Sequence, residues 1–197
     1  MTIIKNKTQA LKALITISII SLTAACSSPS PTHLTVSPKL NIQASTNLYQ
    51  NTAQLEVTDM RIAKYIVSIL KEDEAAVVIS ADDGLDSITK KALSESWNNQ
   101  GLEINSTSTN KIKVSIDTAD VTVKQSTMSY VSENEIMITV TIERDNKVLT
   151  SKFKNKGNSD GALSVDIAVL ERDFSYNFAS VLEQIIQSKD IQKFLAP

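Results

Sequence analysis

The chain has 197 residues, room for one domain with appendages, and carries 20 basic against 22 acidic side chains, one histidine and one cysteine. That balance argues against a nucleic-acid-binding surface or a polybasic membrane patch. A single cysteine excludes an internal disulfide, and one histidine with one cysteine cannot build a His/Cys zinc site.

The N-terminus reads as an export signal over residues 1–25. Lys5, Lys7 and Lys12 form a positive start with no acid, and residues 13–25 are an apolar run of 13 residues. A membrane-spanning helix needs roughly 20 such residues. Thr23, Ala24 and Ala25 then place small side chains before Cys26. This ending resembles the lipobox of bacterial lipoproteins, with Leu22 one place early and Thr23 in the usual leucine position. The resemblance implies that Cys26 accepts diacylglycerol and becomes the first mature residue. It also implies that Ser27, in place of aspartate, sends the protein to the outer membrane with its domain facing the periplasm. Residues 26–32 carry the acylated cysteine and a Ser/Pro tether. Without the signal, 17 basic residues face 22 acids, a formal charge of −5.

Residues 33–197 read as one domain whose first part, 33–51, is an extended stem stopped near Pro38. Ala53, Leu55 and Val57 alternate with polar residues and predict a strand, followed by a turn at Asp59-Met60-Arg61 where Asp59 and Arg61 could pair. Further strands are expected at 65–70 and 75–80. Asp82, Asp83 and Gly84 offer N-cap candidates for a helix with Leu85, Ile88, Ala92, Leu93 and Trp97 on one face, ended by Gly101. Leu102 and Ile104 open a short extended piece.

In the centre, Ile112, Val114 and Ile116 alternate on even positions, but Ala119, Val121 and Val123 on odd ones. A strand cannot change parity and keep its apolar face without an extra residue, so a bulge is predicted at 117–120. Ile136, Ile138, Val140 and Ile142 form the next strand. Arg144-Asp145-Asn146-Lys147 forms a hairpin turn, and Leu149, Ser151 and Phe153 return. A helix follows over 165–187 with Ser164 as N-cap, carrying Ile167, Leu170, Phe174, Phe178, Val181 and Ile185 in a stripe; Ser188 caps a last turn.

Catalytic signatures are scarce. A nucleophile–histidine arrangement would have to use His33 in the stem, and Gly84, Gly101, Gly157 and Gly161 make no phosphate-binding pattern. Asp82-Asp83 fits a helix N-terminus. Asp117 and Asp120 flank the expected bulge and read first as solvated strand residues.

The mature chain resembles the YajG-type lipoproteins, an uncharacterised family, through LTVSPKL after the tether, LEVTDMR, a helix ending in Gly101-Leu102, the long strand pair, and a closing helix followed by DIQKFL. The resemblance implies no catalytic residues. The expected fold is α+β, a mostly antiparallel sheet of about four to six strands with two amphipathic helices on one face. The expected function is non-enzymatic, with no cofactor or metal: a lipid-anchored envelope protein that binds or assembles a protein partner. The alternatives are a carrier of a small amphipathic ligand and a carboxylate-based hydrolase of envelope polymers. Partner contact is expected on the central hairpin, through Tyr130, Val131 and Met137, because tyrosine buries apolar area while keeping a wet hydroxyl. The sequence does not give the oligomeric state.

Overall fold

The computed structural model describes residues 32–42 and 48–196. The signal segment, Cys26, Ser27 and most of the tether lie outside the described residues. The elements in chain order are β1 (His33–Leu34), β2 (Asn51–Asp59), β3 (Tyr65–Lys71), β4 (Val77–Ala81), α1 (Leu85–Asn99), β5 (Leu102–Ile104), β6 (Lys111–Gln125), β7 (Ser129–Arg144), β8 (Lys147–Ala162), α2 (Ile167–Gln187) and α3 (Lys189–Leu195). The α+β class agrees with the sequence. The sheet differs from the expectation in two respects: among the described residues it has eight strands, and it is mixed.

The mixture has a simple origin. β6, β7 and β8 form an antiparallel meander of long strands. On the other side of β6 lie two strands placed end to end, both parallel to it. β2 pairs with residues 111–116, and β3 with residues 121–125. β5 extends the sheet beyond β2, while β4 and then β1 extend it beyond β3. Eight steps from Asp59 to Val67 oppose five steps from Ile116 to Val121, so three residues are left over and loop out between β2 and β3.

The predicted bulge is present. The β6–β7 register shifts between Ile116 and Thr118, making Asp117 the inserted residue. Ile112, Val114 and Ile116 before it, and Ala119, Val121 and Val123 after it, therefore all enter the same buried cluster. The β7–β8 turn is built by Asp145 and Asn146, both at positive φ (50° and 60°). That is the twist two-residue hairpins favour, and Asp and Asn tolerate it better than most side chains.

α1 and α2 contribute Leu85, Leu93 and Trp97, and Phe174, Phe178 and Ile185, to that one cluster; α1 packs on β2 and β5, α2 on β6, β7 and β8, and the helices touch each other. The other sheet face carries Thr, Ser, Lys and Glu, including the Lys113–Glu143 and Lys124–Glu133 pairs. The helix caps refine the expectation. The N-cap of α2 is Asp166, whose carboxylate accepts from the Ala168 N–H, rather than Ser164. The N-cap of α1 is Gly84, one of the three candidates, which has no side chain to bond the first turn, while Asp82 accepts from the Thr35 hydroxyl at 2.7 Å. The C-cap of α1 is Gln100, and Gly101 follows at φ 91°, the left-handed position that favours glycine after a helix.

The stem does not stop at Pro38. Leu34 and Val36 are buried, and Leu40 and Ile42 are half-buried against the core. The N–H groups of Thr35, Ser37 and Asn41 donate to Glu171, Ser175 and Glu183 of α2, at 2.8, 3.2 and 2.6 Å. Six extended residues span about 20 Å and twelve helical residues about 18 Å, so a strand-like segment can follow one i, i+4 ridge without strain. Proline is tolerated because the bonding N–H groups lie at odd-numbered positions.

Candidate functional site

Polar chemistry concentrates where the in-line strands β2 and β3 are interrupted. Beside the break, the β6 backbone around Ala119 has no strand partner on that side, and a buried carbonyl must find a donor. Arg61 supplies it. Its guanidinium donates to the Ala119 carbonyl at 2.8 Å and to those of Tyr65 and Lys64 at 3.1 and 3.4 Å. It also grips Asp59 in a fork, Nε to Oδ1 at 3.0 Å and Nη2 to Oδ2 at 2.9 Å. The Arg61 N–H bonds Asp59 Oδ1 as well, and Lys64 Nζ lies 3.3 Å from that oxygen. The sequence-predicted Asp59/Arg61 pair is thus a nearly buried, bidentate contact that closes a break in the sheet. Burial pushes the Asp59 carboxyl up, but the hydrogen bonds and charge of Arg61, with Lys64, outweigh it and hold the group below the usual carboxylate range.

Next to the break, on the sheet face away from the helices, three charged residues stand in one cross-strand row: Asp120 on β6, Glu135 on β7 and Lys156 on β8. Lys156 Nζ is 3.1 Å from Glu135, and Lys154 pairs with the same carboxylate. The two acids are driven apart. Burial, then the charge of Glu135, raise the Asp120 pKa against the pull of Arg61, whereas the bonds to Lys154 and Lys156 lower that of Glu135. With Thr122, Glu133, Asn134, Gly157 and Asn158 they line an open cleft of about 360 Å³. One acid held up beside one held down is the arrangement acid–base chemistry requires. Equally, a graded row of charge can orient a polar partner. Among the described residues there is no group of three or more His, Cys, Asp or Glu placed to hold a metal ion.

The predicted contact residues separate. Val131 lies on the open face and is exposed. Tyr130, one residue earlier, points to the helix side; its ring lies over Gly161, where an added Cβ would come within 2.6 Å of it, and packs against the core. The missing side chain at Gly161 makes room for the ring to fold back. Met137 sits half-buried beside the bulge, paired with Thr118 and Lys154. Asp117, the bulge residue, accepts from the hydroxyls of Ser115 and Thr139. Sequence reading missed the Asp120–Glu135–Lys156 row because the two intervals between its members, 15 and 21 residues, reflect only the strand register. The parity of the strands did place Asp120 and Glu135 on the open face.

The fold is similar to that of a crystallised Xanthomonas campestris protein of family DUF330, with a TM-score of 0.59, 12% identity, and coverage of 83% of this chain and 97% of that one. A hemagglutinin homolog from Helicobacter pylori aligns at a TM-score of 0.46 and 6% identity, over 83% of this chain and 96% of that one. No curated protein matches the chain in sequence. Among the described residues no helix is long and apolar enough to cross a membrane. A family model described as an uncharacterized lipoprotein matches residues 38–196, which hold the stem from Pro38, the broken strand, the meander and the closing helices. The chain belongs to that uncharacterised lipoprotein family, consistent with a YajG-type lipoprotein.

Proposed function

We propose that this is a lipid-anchored envelope protein, held at the outer membrane through Cys26 and facing the periplasm, that binds a protein partner and carries out no reaction. The observation that carries the reading is an apolar row on the open sheet face. Val78 on β4, Leu70 on β3 and Val131 on β7 are 51%, 41% and 45% exposed. Leu70 and Val131 flank Lys124 in register, and Val78 is diagonal to Leu70. Large apolar side chains gathered on one exposed face mark contact surfaces. The layer between sheet and helices is filled by Trp97, Phe174, Phe178 and the sheet's own side chains, which favours surface contact over an internally carried ligand.

Two results test this reading. Cys26→Ser should abolish acylation and leave the precursor uncleaved, and Ser27→Asp should hold the protein at the inner membrane. Normal processing of Cys26→Ser, read by gel mobility and lipid labelling, would overturn the anchor. Separately, a photo-crosslinker at Val131 should capture one protein reproducibly from intact cells. Leu70→Lys with Val131→Lys should then reduce its recovery at least about tenfold, a loss of about 1.4 kcal/mol in affinity. Undiminished recovery from a well-folded double variant would place the interface elsewhere.

One observation favours a second reading, a hydrolase of envelope polymers: the opposed shifts of Asp120 and Glu135, directly paired across two antiparallel strands. Such pairs have Cβ atoms about 5 Å apart, compatible with the carboxyl separation of roughly 5–9 Å used by glycosidases. On this reading Asp120→Asn abolishes turnover of peptidoglycan or polysaccharide fragments, and a wild-type protein inert towards them defeats it.

A further inference from the structure

The surplus residues at the β2–β3 break push out a loop with an apolar tip. Ile62 is fully exposed at 104% and Met60 is 63% exposed, while Arg61 between them is buried and tied to Asp59 and to the Ala119 carbonyl. Ala63, Lys64 and Tyr65 complete the exposed segment. The loop is therefore held at its base and greasy at its end, so its apolar side chains can be buried without first ordering a mobile segment.

We propose that residues 60–65 rest in the surface of the bilayer that holds the lipid on Cys26; the inference builds on the anchoring reading above. Three observations favour lipid as the occupant. The first is the length of the tether. Five residues lie between Cys26 and Thr32, and each of the six steps of an extended chain spans at most about 3.5 Å, so acylation holds the start of the domain within roughly 20 Å of the membrane. The second is register. Tyr65 pairs with Ser80, and Ser80 with His33, so the loop ends two strand spacings, about 10 Å, from the point where the tether enters the sheet.

The third is chemistry and size. Ile62 and Met60 are the most exposed large apolar side chains of the loop, and Tyr65 follows, the residue type that places an apolar body in hydrocarbon and a polar end among headgroups. Two projecting side chains offer far less area than the roughly 800 Å² per partner of a stable protein interface. The charge around the loop says which lipid. Asp83 and Asp86 line the cleft beside Arg61 and Lys64, so the contact is apolar, independent of anionic headgroups and insensitive to salt.

The test uses the full acylated protein in phosphatidylethanolamine/phosphatidylcholine vesicles containing lipids brominated on the acyl chains. Trp97, the natural tryptophan, is buried and supplies a constant background. Ile62→Trp should emit at shorter wavelength on reconstitution and be quenched severalfold more than Val148→Trp. Val148 is exposed and pairs with Glu143, itself opposite Lys111, eight residues along β6 from Ala119 and so about 25 Å from the break. Quenching should persist in high salt, and adding Met60→Asp to Ile62→Trp should reduce it to background. Protein that sediments with vesicles while Ile62→Trp is quenched no more than Val148→Trp overturns the loop contact alone. Acylated protein that does not sediment with vesicles overturns the anchor and this inference together. Quenching that vanishes in high salt also overturns the proposal, by making the contact electrostatic.

Discussion

Arg61→Met is expected to destabilise the domain by about 3–5 kcal/mol, the range for removing one partner of a buried ion pair. Methionine keeps much of the length and apolar bulk but no donors. The carbonyls of Ala119, Tyr65 and Lys64 lose their guanidinium partner, and the Asp59 carboxylate keeps only the residue-61 backbone N–H and Lys64. Against a total stability of about 5–15 kcal/mol, the loss is large and local. Acid sharpens the expectation. In the wild type the Asp59 pKa lies below its unfolded value. Its contribution is therefore present above the unfolded pKa and is lost as pH falls through the lower folded one. In Arg61→Met, burial acts on Asp59 against the backbone N–H and Lys64 alone, so acid unfolding should begin at higher pH. Urea unfolding at pH 7 and an acid titration by circular dichroism measure both effects. Pairing the change with Asp59→Asn should restore part of the loss, because the buried charge is gone. A loss below about 1 kcal/mol for the single variant would mean that the break is held closed by its neighbours and that Arg61 is dispensable.

The second large effect is alkaline. Tyr49 enters the core just before β2, is 1% exposed, and has no hydrogen-bond partner for its hydroxyl. Burial pushes its phenol up to about 12, from an ordinary value near 10. Between those values the unfolded chain releases the proton and the folded chain keeps it, so stability is intact below about pH 10 and falls as pH rises towards 12. The full window corresponds to about 2.7 kcal/mol. Tyr49→Phe removes the ionisable group and also an unsatisfied buried hydroxyl. It should therefore match or exceed the wild type at pH 7 and lose less stability from pH 9.5 to 11.5. Urea midpoints across that range, with the phenolate absorbance of the folded protein, test it. An alkaline loss as steep in Tyr49→Phe as in the wild type would assign the limb to other groups.

Much of the central architecture is legible in the sequence because alternation records which face of a strand is buried. The parity change between Ile116 and Ala119 is enough to place a bulge within residues 117–120, and the strand register puts it at Asp117. The 3.6-residue stripes locate α1 and α2, and Asp145-Asn146 marks the tight turn. The second half of β8 is not legible, for a reason visible in its neighbours. On its helix-facing side Asn155 bonds Asn177, Ser159 bonds Ser132, and Gly157 and Gly161 yield to Asn134 and Tyr130. A strand whose inward face is small and polar has no apolar period to detect.

By itself, the sequence determined the division into signal, tether and domain as an expectation, the lipoprotein family that the comparison bears out, the α+β class, and the sidedness of β6, β7 and the first half of β8. Only the tertiary structure decided the rest: β2 and β3 set in line along β6, Arg61 tied to the carbonyl of a residue 58 positions away, the stem seated on α2, and the row Asp120–Glu135–Lys156. The physical reason is the same in each case. A local pattern states which side of a segment avoids water, whereas these contacts depend on which distant segment lies alongside and in what register. That choice is made by backbone hydrogen bonding and core packing over the whole sheet.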